Sequence, residues 1–179
     1  MGIEDLRVEI EARIETPEAI KACLLGLPHV RYLHGYNAMS WFLYEDERHV
    51  IEILYYAQHY VCVRFALCSF EGIAEVGAEL IQRIAGATQQ GRIKIAERHG
   101  VGYPKEFERG DLGGLLEAIL GVWEEKRRIW AMDYGGEERL KVSCAEALVR
   151  FSARARQRIW DEDDDEEGEE NGVYDEPTR

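Results

Sequence analysis

The side chains that could ligate, titrate or attack are five histidines, four cysteines and a large excess of carboxylates. His29, His34, His49, His59 and His99 are scattered. No two stand four apart on a convincing helix, so the H-E-x-x-H arrangement of a zinc protease is missing. Neither a G-x-x-x-x-G-K phosphate loop nor a G-x-S-x-G nucleophile elbow occurs, and Gly100-Val101-Gly102 is too short to cradle a phosphate. His29 and His34 flank a loop and His59 sits in a predicted turn, which reads as solvated imidazoles. Spacing alone is silent about a metal site assembled from distant residues. Cys23, Cys62, Cys68 and Cys144 contain no C-x-x-C pair, so neither a zinc ribbon nor a thioredoxin-like site is indicated. They are expected to be reduced, small apolar residues. Cys62 and Cys68 have the same parity in one predicted strand, about 20 Å apart at 3.3 Å per residue, too far for a disulfide. This inventory implies no cofactor.

The carboxylates divide into two groups. In the first, Glu9-Ile10-Glu11-Ala12-Arg13 places Glu9, Glu11 and Arg13 on one face of a strand. This segment resembles, locally, the E-x-E-x-K signature that opens the CYTH family of triphosphate-processing enzymes, and a helix similar to the family's (PEAIKACLLGL) follows. The resemblance covers about twenty residues. It implies strand glutamates holding a divalent metal inside an antiparallel tunnel while basic residues grip a triphosphate. The chain departs from that pattern in having Arg13 for the lysine and only Arg48 and Arg64 as cations on the later strands. A triphosphate needs many strand-borne cations, because its charge cannot be desolvated unpaired. An alternating Glu/Arg strand facing water has the same spacing, so Glu9 and Glu11 face either a metal or solvent.

The second group is the acidic segment 161–179. It holds eleven acids, among them Asp161, Asp163, Asp164 and Asp165, against the single cation Arg179. That is −10 of the chain's −13, which leaves residues 1–160 nearly balanced at −3. Consecutive carboxylates repel and bury nothing, so a disordered acidic tail is expected after Trp160. Before it stand Arg150, Arg154, Arg156 and Arg158, and further upstream Lys126, Arg127 and Arg128. These are either solvated helix faces, with cations favoured near a helix C-terminus, or a patch on which the tail folds back.

The elements that must position these groups follow from periodicity. Leu6, Val8, Ile10, Ala12 and Ile14 alternate with charged residues, the mark of a half-buried strand. Thr16-Pro17 starts a helix carrying Ala19, Ile20, Cys23, Leu24 and Leu27, which Gly26 or Pro28 ends. Residues 29–37 read as a loop. Met39–Tyr44, His49–Tyr56 and Tyr60–Cys68 form three strands of an antiparallel meander. Ser69 caps a helix to about Ala85, and residues 89–99 read equally as strand or helix. Residues 100–110 read as a loop. Asp111 caps a helix over 112–131, Tyr134-Gly135-Gly136 breaks it, and a last amphipathic helix spans 137–160. The fold class is α+β: the N-terminal strand and the three-strand meander form an antiparallel sheet covered by helices, with a helical C-terminal half. The expected organisation is one domain over 1–160 followed by the tail.

In the meander, Trp41, Phe42, Tyr44, Tyr55, Tyr56 and Tyr60 cannot all face one core, and Tyr55 and Tyr56 must point oppositely. Trp41, Tyr44, Tyr55, Tyr56 and Tyr60 are therefore candidates for a binding surface, with core filling as the alternative.

At 179 residues and 46% hydrophobic content, a chain disordered throughout is excluded, and no apolar run approaches the length of a membrane span. The N-terminal 25 residues carry six acids and no basic start, so a cytoplasmic protein is expected. A pI near 4.9 disfavours direct nucleic-acid binding. The leading reading is a non-catalytic acidic interaction protein, of inhibitor, immunity or chaperone type. Its partner would be a protein with a basic surface, met through acidic faces and exposed sheet aromatics. The rivals are a small metal-dependent phosphohydrolase using Glu9 and Glu11, and a structural subunit of a larger assembly.

Overall fold

The period-two run at the N-terminus forms β1 (Asp5–Glu11), and Thr16 accepts a hydrogen bond from the Ala19 N–H to cap α1 (Pro17–Leu25). These belong to a computed structural model that describes residues 5–12, 16–88, 91–97 and 105–157. A four-strand meander follows: β2 (Val30–Tyr36), β3 (Met39–Glu45), β4 (Val50–Tyr56) and β5 (Tyr60–Ala66). Then come α2 (Ile73–Ala87), β6 (Ile93–Glu97), β7 (Lys105–Phe107), α3 (Leu112–Asp133) and α4 (Glu137–Gln157). The seven strands form one antiparallel sheet in the order β2-β3-β4-β5-β1-β6-β7. The α+β class and the helical C-terminal half agree with the sequence pattern.

Several expectations are corrected. Residues 29–37 are not a loop but the edge strand β2, so the meander has four strands rather than three. A bulge between Tyr32 and His34 breaks the alternation that would have marked it: Tyr32 lies opposite Phe42, whereas His34, two residues on, lies opposite Trp41 on the other face. β5 ends at Ala66, and Ser69 donates its N–H to the Ala66 carbonyl in a turn instead of capping α2. That cap is Gly72, at φ 95°. The turn also separates Cys62 from Cys68, one under the open face of the sheet and the other in the main core, and both are free thiols. Residues 93–97 resolve as strand, and 105–107 add a short one. The expected residues Arg13, Ile14, His99 and 158–160, and the acidic segment with Asp161, Asp163, Asp164 and Asp165, lie outside the described residues.

One face of the sheet carries Leu6, Val8 and Ile10 of β1 with Phe42, Ile53, Val63, Phe65, Ile93 and Ile95 of its neighbours, all 0–1% exposed. The helices bury this face, with Ile73, Ile81 and Ile84 of α2, Leu115 and Ile119 of α3, and Leu140 and Phe151 of α4 in the same cluster. Gly77 sets the approach of α2 to β5. A Cβ there would lie 2.2 Å from Phe65 Cε1, so only glycine fits.

Gly77→Ala should therefore destabilise by about 1–3 kcal/mol through overpacking. Gly86→Ala, in the same helix with nothing within 4 Å of the new methyl, should leave stability unchanged or raise it by up to about 1 kcal/mol. Urea unfolding of the two variants checks both signs, and equal effects would refute the contact with Phe65.

Candidate interaction surface

On the other face of the sheet α4 meets the β3–β4 end, where Ser152 and Arg156 reach Glu45 and Val50 lies beside Leu148 and Ser152, and pairing register arranges the face in rows. One row crosses all seven strands: His34, Trp41, Leu54, Cys62, Glu9, Lys94 and Glu106. A second runs Tyr36, Met39, Tyr56, Tyr60, Glu11, and a third Leu43, Glu52, Arg64, Arg7. The face is thus aromatic and apolar at the β2–β4 side and charged at the β1–β7 side.

On the aromatic side, Leu33, Met39, Tyr56 and Tyr60 pack over Trp41, Leu54 and Cys62 and leave those three 1–3% exposed. His34 stacks on Trp41 with ring centroids 5.0 Å apart. Tyr56 and Tyr60 lie 4.7 Å apart, half-buried, and Tyr60 accepts from Arg7 at 3.3 Å. Burial pushes the Cys62 thiol up to about 11, against the pull of Arg7 and Arg64, so this cysteine stays protonated. Tyr55 does point away from Tyr56, into the helix-covered core, where it is 1% exposed. Tyr44 is also in that core; burial first, then the hydrogen bond to Asp46, pushes its hydroxyl up to about 12.

Three of the five candidate aromatics, Trp41, Tyr44 and Tyr55, are therefore core residues, and Tyr56 and Tyr60 offer only part of their surface. The exposed aromatics are instead Tyr32 (47%) and Tyr36 (41%) on β2, with Leu25 (54%) at the end of α1 just before it. Sequence periodicity missed them because the bulge hides the strand.

On the charged side, Glu9 and Glu11 open onto a depression of about 330 Å³ shared with His59, Tyr60, Arg92, Lys94 and Glu106. Arg92 and Lys94 are cations the spacing around β1 could not reveal, since they come from β6 and the residue just before it. Arg48 is elsewhere, in the β3–β4 turn. Glu52, 1% exposed, accepts from Arg64 at 2.7 Å. The closed tunnel implied by the CYTH resemblance is not formed by the described strands, whose sheet ends at β2 and β7. Among the described residues, no three His, Cys, Asp or Glu side chains converge as a metal site.

At the other end of β3, Glu45 joins three elements. Arg31 of β2 reaches it at 2.9 Å, Ser152 of α4 donates to it at 2.9 Å, and Arg156 of α4 pairs with it. Burial would raise the Glu45 carboxyl, but the Arg156 and Ser152 hydrogen bonds and the two guanidinium charges outweigh it and lower it. The neighbouring Asp46 is caged more tightly. Burial again opposes ionisation, and the Arg48 N–H, the His49 ring, the Tyr44 hydroxyl and the His49 N–H together hold its carboxyl at about 2. The second ring nitrogen of His49 lies 3.0 Å from the Glu71 carbonyl, which ties the β3–β4 turn to the start of α2.

Comparison of the chain with protein-family models, with curated proteins and with solved structures gives no match. Among the described residues no helix is long and apolar enough to cross a membrane.

The Asp46 cage generates a pH prediction. Its folded value lies below the roughly 3.9 of an unfolded aspartate. The carboxylate therefore stabilises the fold above about pH 4, and that contribution is lost as pH falls through about 2. The shift corresponds to on the order of 2 kcal/mol. In Asp46→Asn the stability deficit relative to the natural chain should be larger by that amount near neutral pH than near pH 2, as measured by urea unfolding. An equal deficit at both pH values would show that the cage does not favour the ionised form.

Proposed function

We propose that the protein is a non-catalytic acidic interaction protein, of inhibitor, immunity or chaperone type, that binds a basic partner protein along β2. The observation that carries this reading is the state of that edge. β2 is seven residues long, no described strand pairs with its outer side, and it displays Tyr32 and Tyr36 with Arg31 as its one charged residue. An edge so lightly protected by charge favours addition of a further strand, and tyrosines supply anchors of the kind that dominate interfaces. The Glu45 junction places the last described turn of α4 beside Arg31, and the acidic run begins at Asp161, four positions along the sequence from the end of that helix at Gln157. Carboxylates there would steer a basic partner towards β2 and would not themselves fix the docked geometry.

Affinity capture from the native host, followed by association kinetics with the captured protein, tests this. The partner should carry a basic surface, and association should slow as ionic strength rises past about 0.15 M, where the Debye length is near 8 Å. Tyr32→Ala with Tyr36→Ala should speed dissociation by about tenfold or more, whereas Tyr55→Ala should cost about 3 kcal/mol of fold stability. Salt-independent association, or dissociation unmoved by the tyrosine pair, would sink the proposal.

A second reading, a small phosphohydrolase, is favoured by one observation: the depression that gathers Glu9 and Glu11 with Arg92 and Lys94. Calorimetric titration with Mn²⁺ and a nucleoside triphosphate, on the natural chain and on Glu9→Gln with Glu11→Gln, separates the two readings. Heat that disappears in the variant would support the enzyme, and no heat would remove it.

A further inference from the structure

The outward face of α4 is unusual for a solvated helix. Val142 and Val149 stand one heptad apart on it, 62% and 70% exposed; Val149 is the most exposed large apolar side chain described, and only Met132 otherwise exceeds Val142. At 3.6 residues per turn the same stripe carries Arg139, Glu146, Arg150 and Ala153. Glu146 and Arg150 are exposed and spaced for an ion pair within the helix, yet no ion pair joins them; among the described residues Arg150 acts only as a nearby charge on Cys68.

We propose that this stripe is the contact between two copies of the chain, packed with their α4 helices antiparallel about a two-fold axis level with Leu148, between the two Val149 side chains. The stripe is complementary to its own reversal. With the axis there, Val149 meets Val149 of the second copy, and Val142 meets Ala153 of the second copy, where a small side chain admits close approach. Glu146 then faces Arg150 of the second copy, and the symmetry repeats that ion pair on the other side of the axis. A parallel arrangement would set Glu146 against Glu146 and Arg150 against Arg150, so charge selects the antiparallel one. A basic or acidic partner protein fits less well, because the stripe carries both signs. The opposing term is the net charge of −13 on each chain, which salt screens. The contact leaves β2 outside it, so the proposed binding edge would be displayed twice in one particle.

Sedimentation equilibrium of the full chain at about 0.15 M salt is the test. The expected mass at tens of micromolar is twice 20.6 kDa. Glu146→Arg should weaken association by about tenfold or more by creating two like-charge contacts. The double charge swap Glu146→Arg with Arg150→Glu should restore it, and Val149→Glu should again give a monomer. All these positions are exposed, and circular dichroism of each variant verifies that the fold is kept. A chain that stays monomeric, a dimer unmoved by Glu146→Arg and Val149→Glu, or a double swap that fails to recover each overturns the proposal.

Discussion

The structure depends on the pairing of β1 along both its edges. All seven of its residues pair with β5, and Arg7 to Ile10 pair again with β6. A strand bonded on both sides has no free edge, and its core side chains Leu6, Val8 and Ile10 are 0–1% exposed. The first strand in sequence thus becomes central in space. It can be fixed only after a chain of some fifty residues has closed back on it, a cost that grows slowly with loop length but delays long-range pairing. Everything beyond α2 in the sheet depends on that step, because β6 has only β1 and the three residues of β7 as neighbours.

Pairing fixes the faces, and the faces have different solutions to exposure. Helices shield one. On the other, α4 meets the β3–β4 end, and the rest shields itself by packing where it is aromatic and by ion pairing where it is charged. Trp41 and Leu54 are sealed by side chains of their own sheet. Glu52 sits in the third row between Leu43 and Arg64, nearly out of solvent. A carboxylate in that position is tolerable only with the guanidinium 2.7 Å away. Removing one partner of such a pair typically costs about 3–5 kcal/mol, far more than the pair contributes relative to an apolar substitute. The pair therefore restricts register: a one-residue slip would turn Glu52 into the helix-covered core and bring Ile51 and Ile53 to the open face.

This logic also explains which parts of the fold could be read from the sequence. β1, β3, β4 and the caps of α1 and α3 were legible because local chemistry and tertiary role agree there: Thr16-Pro17 and Asp111 cap the helices as their types suggest. β2 was not, since its bulge reverses parity between Tyr32 and His34, and the left-handed His29 and Asn37 at its ends look like loop residues. The candidate site suffered most. Counting aromatics could not tell that the β2–β5 side of the open face closes over Trp41, nor that Tyr44 is held by Asp46. In the charged depression, Glu9 and Glu11 were visible as a spacing, but Arg92 and Lys94 join them only through the β1–β6 register.

Glu45 shows how a local charge organises distant parts of the molecule. It ends β3, and on it converge one cation from the edge strand and one from the C-terminal helix, 125 positions apart in sequence. Were Glu45 neutral, Arg31 and Arg156 would face each other without a counter-charge, and each would be better solvated apart. The shared carboxylate instead holds the end of α4 against the edge of the sheet, and its lowered proton affinity keeps that arrangement through the neutral range. The body of the protein is close to electrically balanced, so its own field is weak at a distance. The acidic run is the one strong source of field in the chain. Its strength at β2 depends on distance, because screening removes most of it beyond about a Debye length. Anchoring α4 at Glu45 holds the last described turn of that helix, which ends at Gln157, beside Arg31.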